Sequence, residues 1–151
     1  MQAPTDTTRQ LVVFSLAGEH YGLPIEQVHE IIRFTEPRSV ASASSWVRGV
    51  IGLRGRILPV YDVAARIGVQ GPADSQAKIV IAEFGGETAG VIVESVEEVL
   101  TIGDSQIDAV PTADSPLIEA IARVGDRLVA LLTLENLFPA AGPEQGLAAA
   151  G

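Results

Sequence analysis

Gly18-Glu19-His20-Tyr21-Gly22 and Gly86-Glu87-Thr88-Ala89-Gly90 are the two stretches whose reading decides the fold of this chain. They share one frame at a constant offset of 68 residues. Under that offset Glu26 falls on Glu94, Val28 on Val96, Glu30 on Glu98, and Ile31-Ile32 on Val99-Leu100. Upstream, Leu11-Val12-Val13 falls on Ile79-Val80-Ile81. After a small gap, Gly55-Arg56-Ile57-Leu58 aligns with Asp126-Arg127-Leu128-Val129, and the stretch from Val60 to Ile67 aligns with Leu131 to Phe138. The chain therefore reads as two copies of one unit of about 65 residues.

Each copy reads as β structure. Leu11 to Leu16 is apolar and β-branched, and Ala17-Gly18-Glu19 is a turn signal, so a return strand is expected from Tyr21 to Ile25. The glycines at such turns are expected to supply the positive φ that tight hairpins require. Glu26 to Ile32 alternates weakly, with room for a helical turn at Ile25 to Val28. Trp46 to Leu53 and Arg56 to Tyr61 flank the hairpin signal Arg54-Gly55. Asp62 is placed to cap a short helix that ends at Gly68. The second copy repeats the order: Ile79 to Phe84, Ala89 to Val93, Glu94 to Leu100, Ile121 to Val124, Leu128 to Leu134, then a short helix from Thr133 to Phe138 stopped by Pro139. Five short strands with Gly-rich turns are expected to close into a small barrel, which also removes exposed strand edges. The expected fold is all-β: one barrel over about 10–67 and another over about 77–139, joined through Gly68 to Gln76, with chain exchange between them left open. Residues 1–9 are expected to be a flexible tail and 140–151 a disordered one. Glu36 to Ser45 and Gly103 to Pro116 are long loops in equivalent places.

Composition narrows the function. The chain has no cysteine, which excludes disulfides, thiolate metal sites and a cysteine nucleophile. The formal net charge of −9 opposes binding to a phosphate backbone, so no nucleic-acid partner is expected. Through Ile67 seven Lys and Arg stand against six Asp and Glu; from Gly68 onward three stand against thirteen. Such asymmetry steers partners to one end of a molecule, or simply solvates an acidic surface. No apolar run approaches the roughly 20 residues that span a bilayer. The polar start of the chain does not read as a signal peptide, so a cytoplasmic location without direct membrane insertion is expected.

The block Gly49-Val50-Ile51-Gly52-Leu53-Arg54-Gly55-Arg56-Ile57-Leu58-Pro59-Val60-Tyr61-Asp62 resembles the signature of the CheW family. So do Gly18 to Ile25, Val28-His29-Glu30-Ile31-Ile32, and the late block Gly125-Asp126-Arg127-Leu128. Their order covers Leu11 to Phe138. The resemblance implies two intertwined five-stranded SH3-like barrels with short connecting helices. It implies a non-catalytic adaptor that needs no cofactor and couples the cytoplasmic tips of methyl-accepting chemoreceptors to the regulatory domain of a CheA-type histidine kinase, recruited to membrane receptor arrays. Divergent members serve twitching motility or surface sensing. The family pattern usually has Asn before Leu-Arg-Gly, and this chain has Gly52 there.

Arg54 stands at a hairpin tip where the second copy has Gly125. A purely structural turn would not need Arg in one copy and Gly in the other, so Arg54 is a candidate for partner contact, able to grip a carboxylate with two hydrogen bonds. Arg56 joins it on the return strand. Glu30 matches a family position implicated in signalling contacts, yet its repetition as Glu98 weighs towards a role in the fold. Val40, Trp46 and Val47 precede the Arg54 hairpin as candidate apolar contacts; the single tryptophan either anchors a partner or plugs the barrel end. His20, read as a turn residue, and His29 lack a metal-ligand spacing and read as surface histidines. Ser42, Ser44 and Ser45 lack a nucleophile elbow, and the Gly-rich turns lack a phosphate-loop sequence. A small hydrolase or ligand-binding barrel is the remaining rival, with no converging polar groups to support it.

Overall fold

The computed structural model describes residues 7–41, 45–72, 76–109 and 117–137. The chain runs β1 (Thr8–Leu16), β2 (Glu19–Pro24), a 3₁₀ turn (Ile25–Gln27), β3 (Val28–Arg33), β4 (Val47–Leu53), β5 (Arg56–Asp62) and α1 (Val63–Ile67). It continues with β6 (Lys78–Phe84), β7 (Glu87–Val93), β8 (Ser95–Gly103), a 3₁₀ turn (Asp104–Gln106), β9 (Ile107–Ala109), β10 (Ile118–Val124), β11 (Arg127–Leu132) and α2 (Leu134–Leu137). The strands form two sheets, ordered β3-β6-β7-β5-β4 and β8-β1-β2-β11-β10-β9. Replacing each strand by its duplicate converts one order into the other, except for the extra β9. The register repeats as well: Leu11 faces Leu100 where Ile79 faces Ile32, and Leu131 faces Gly22 where Val60 faces Gly90.

Neither sheet belongs to one half of the sequence. The hairpin β1–β2 completes the second half's barrel, and β6–β7 completes the first half's. The two crossings are the parallel pairings of β2 with β11 and of β7 with β5. The division into contiguous barrels at 10–67 and 77–139 is therefore replaced by chain exchange. The sequence reading is further corrected at three places. β1 begins at Thr8, inside the stretch expected as a tail. His20 lies within β2, opposite Ser15, and not in a turn. The expected loop from Gly103 holds a 3₁₀ turn and β9, which pairs with β10. Phe138, Pro139 and the tail 140–151 lie outside the described residues.

Three apolar clusters explain why these strands stay together. Ile51, Leu58, Val60, Ile79, Ile81 and Ile92 fill the β4–β5 barrel, and Leu11, Val13, Ile102, Ala122, Val129 and Leu131 fill the β10–β11 barrel. The third cluster is shared between them. It gathers Phe14, Leu16, Tyr21 and Leu23 with Tyr61, Val63, Val80, Val91, Leu117, Leu132, Leu134 and Leu137. Alternation sends Leu11 and Val13 of β1 and Ile79 and Ile81 of β6 into the barrels, and Phe14, Leu16, Val80 and Ala82 into the shared core, as period-two side chains must. Each strand of the exchanged hairpins is consequently buried on both faces.

Gly22 and Gly90 are repeated for a reason other than turning. Both lie inside strands, opposite the parallel crossing strand. A Cβ on Gly90 would stand 2.7 Å from Ile79 Cγ2, and one on Gly22 would stand 3.2 Å from Val129 Cγ1. They admit the neighbouring core residues. Gly18 and Gly86, with φ near 82° and 83°, are the turn glycines. α1 is capped as its sequence demands: the Asp62 side chain accepts from the Ala65 amide at 3.1 Å, and Gly68 ends the helix in the left-handed region.

Candidate partner-binding surfaces

Arg54 occupies the tip of the β4–β5 hairpin at φ 49°, followed by Gly55 at φ 79°. Positive φ at both positions defines the turn type that suits a right-twisted hairpin, but it is unfavourable for an arginine. In the β10–β11 hairpin the same first position is Gly125 at φ 61°. The Arg54 guanidinium donates to both carboxylate oxygens of Glu30, with Nη2 to Oε1 at 3.0 Å and Nη1 to Oε2 closer still. That bidentate bond holds the Glu30 carboxyl below the usual carboxylate range, and Glu30 in turn raises the Arg54 guanidinium.

A bulge in β3 aims Glu30 at this partner. The register slips between Val28 and Glu30, so Val28 packs on the shared core while Glu30 turns towards the hairpin. The same slip in β8 aims Glu98 at Arg127, whose Nη2 donates at 2.6 Å. Arg127 is the duplicate of Arg56, not of Arg54. The first half has therefore moved the cation that holds the glutamate from the return strand to the hairpin tip. Arg56 is thereby left exposed, with no carboxylate partner among the described residues.

Trp46 and Val47 pack against the shared core, and Val40 lies exposed in the loop before them. The Trp46 indole donates to the Leu137 carbonyl at 3.0 Å, and the Arg66 guanidinium lies 4.7 Å from its ring centre. Trp46 thus ties α1 to α2 across the two halves. Arg54 and Arg56 stand on the β4–β5 hairpin and Glu30 on β3 at the other edge of the sheet, joined by the Arg54–Glu30 pair, whereas Val40 and Trp46 precede β4 and Val47 begins it.

Of the six large apolar side chains left exposed among the described residues, four fall in duplicate pairs, and Val40 and Phe84 stand alone. Ile57 and Leu128 sit on the two hairpins, 72% and 59% exposed. Ile31 and Val99 sit on β3 and β8, opposite Val80 and Val12. Ile31 extends the face of its sheet that holds Val80 outward as an apolar rim along β3, and Val99 does the same beside Val12 along β8. Ile57 is the barer of its pair because it lies opposite Gly52, while Leu128 lies opposite Arg123. Arg123 is held by Asp108 at 2.7 Å and by the Ser105 carbonyl at 2.9 Å. The sequence does not mark these pairs as surface residues, because buried duplicates such as Leu11 and Ile79 are apolar at both positions too.

A CheW-like domain model matches residues 10–142 of the chain. The chain belongs to the CheW family. It is 33% identical over 136 residues to a probable chemotaxis protein CheW of Rhizobium etli, covering 86% of this chain and 87% of that protein. The crystal structure of the scaffolding protein TtCheW from Thermoanaerobacter tengcongensis superposes with a TM-score of 0.81 at 36% identity, over 91% of this chain and 97% of that one. A shorter likeness, 29% over 84 residues and 55% of this chain, reaches protein PilI of Pseudomonas aeruginosa. The chain is a non-catalytic scaffold of chemotaxis-type signalling, with the two SH3-like barrels of the CheW fold. No described helix is long and apolar enough to cross a membrane.

Proposed function

We propose that this chain couples the cytoplasmic tip of a methyl-accepting chemoreceptor to the regulatory domain of a CheA-type histidine kinase. The observation that carries the reading is the pairing of exposed apolar duplicates with unlike polar settings. The apolar rims at Ile31 on β3 and Val99 on β8 offer docking surface for a receptor helix. The β4–β5 hairpin offers Ile57, Arg56 and the Arg54–Glu30 pair as a separate, charged contact. Apolar anchors ringed by oriented charges are what specific, reversible interfaces use. Val40 extends the exposed set, while Trp46 and Val47 support it from beneath. The adaptor works in the cytoplasm, gathered at membrane receptor arrays through these contacts, and needs no cofactor and no nucleic acid.

The experiment is co-purification of the protein with the regulatory domain of the cognate kinase and with a cytoplasmic fragment of the receptor. Wild type is expected to retain both, and Arg54→Ala to weaken one of them. Binding of neither by wild type removes the adaptor reading; full binding and signalling by Arg54→Ala removes the site assignment. A second reading, a scaffold for a non-flagellar pathway such as twitching motility or surface sensing, is favoured by the likeness to protein PilI. The kinase gene that neighbours this one separates the two.

A further inference from the structure

Arg33 ends β3 and Lys78 begins β6, and the register sets them directly opposite each other. Both are exposed. Like charges facing across two strands repel, so the fold gains nothing from the arrangement. The duplicate positions confirm that the barrel does not need it: there Gln10 faces Thr101. Most other cations are engaged. Arg9, Arg48, Arg54, Arg123 and Arg127 pair with carboxylates, and Arg66 lies over Trp46. The chain carries 19 Asp and Glu. Yet among the described residues none forms an ion pair with Arg33 or Lys78.

The pair lies on the same face as Ile31 and Val80, at the end of the apolar rim. We propose that Arg33 and Lys78 receive a carboxylate from the segment docked along that rim. This deepens the receptor-docking reading above and rests on it. Residues two apart on a strand are separated by about 6.6 Å. Residues four apart on a helix are separated by about 6 Å along its axis. A helix lying along β3 thus meets Ile31 with an apolar side chain and Arg33 with an Asp or Glu one turn away. Arg33 supplies a planar fork and Lys78 a compact charge, so one carboxylate satisfies both and removes their repulsion. Because the equivalent rim along β8 ends in Gln10 and Thr101, only the rim along β3 selects for an acid. The pair therefore fixes the direction in which the helix lies.

The test is fluorescence anisotropy with a labelled hairpin-tip fragment of the cognate receptor, at about 50 mM and about 300 mM salt, conditions that bracket strong and weak screening. The Arg33→Gln/Lys78→Gln double variant is expected to bind about tenfold more weakly at low salt and within about threefold at high salt. Its melting temperature is expected to stay level or rise, because a repulsion is lost. Gln10→Ala/Thr101→Ala is expected to bind like wild type. Wild-type binding with a double variant within twofold at both salts overturns this inference and leaves the docking reading standing. Failure of wild type to bind overturns the docking reading and this inference together.

Discussion

The β4–β5 and β10–β11 hairpins share one frame and differ in what they expose. The second is self-contained: Gly125 takes the left-handed position without strain, Arg127 holds Glu98 from the strand, and Arg123 lies beside Leu128 and is anchored to Asp108. The first puts an arginine where glycine fits better, frees Arg56, and leaves Ile57 bare opposite Gly52. Duplication gives each half the same demands of folding. A departure that worsens local conformation in one half only is then a mark of selection by something outside the fold.

The largest effects are expected at the start of β4 and β10, where Trp46 and Leu117 are duplicates. Each backbone carbonyl accepts from the residue that precedes a helix, Asp62 at 2.7 Å and Thr133 at 2.9 Å. Leu117 is fully buried in the shared core. Leu117→Ala is expected to cost about 2–5 kcal/mol by cavity formation, read as a fall in melting temperature of about 5–15 °C. Trp46→Leu imports the other half's residue and is expected to cost about 1–2 kcal/mol, through the lost bond to Leu137 and the lost Arg66 contact. Equal losses would show that the shared core depends on the two positions alike, against what their packing implies.

The strand glycines come next. Gly90→Ala is expected to destabilise by about 1–3 kcal/mol in chemical denaturation, because the new methyl collides with Ile79. Gly22→Ala is expected to cost less, since its nearest neighbour has more room. A reversed order would contradict the packing of the two crossings. A smaller effect separates Tyr61 from its duplicate Leu132. Burial in the shared core, with Glu87 nearby, pushes the Tyr61 hydroxyl up to about 12 from 10.0. The unfolded chain therefore releases this proton first. The stabilisation is whole below pH 10 and is lost as pH rises to about 12. Tyr61→Phe is expected to flatten the decline in melting temperature over that window; an unchanged decline would assign it elsewhere.

The smallest effect on stability is expected at the hairpin tip. Arg54→Gly relieves an unfavourable φ and copies the second half, so its melting temperature should match or exceed wild type while kinase or receptor binding weakens. A clear loss of stability would make Arg54 a structural residue. The Glu30–Arg54 pairing adds an acid signature. Because the Glu30 carboxyl is held low, its contribution is present above the ordinary carboxylate range and disappears as pH falls through the lowered value. NMR titration of the Glu30 side chain should give a midpoint below its ordinary 4.5 that returns upward in Arg54→Gly.

Much of the fold was legible because the two copies check one another. Strand positions, Asp62 as a cap and Gly68 as a stop follow from local chemistry repeated in order. The exchange of hairpins was not legible. Val60 is equally apolar whichever Gly-containing strand it meets, so composition does not say whether its parallel neighbour is β2 or β7. Gly22 and Gly90 fall inside the expected return strands, but the sequence does not reveal that they are steric gaps, because the side chains that fill them come from distant strands. β9 was hidden because three residues carry too little pattern to distinguish strand from loop. At the surface, Arg54 stood out by contrast with Gly125. Its bond to Glu30 did not, since the duplicate Glu98 takes its cation from the position of Arg56, and simple superposition of the copies predicts the wrong partner.

The crossing of hairpins between barrels also limits how such a chain arose. A single unit of this design holds two strands of one barrel and three of another, and closes neither. Two identical units supply each other's missing strands. The founding half-length protein would then have lived as a swapped pair, and fusing its gene to a copy turned a concentration-dependent dimer into one chain whose two ends were free to diverge.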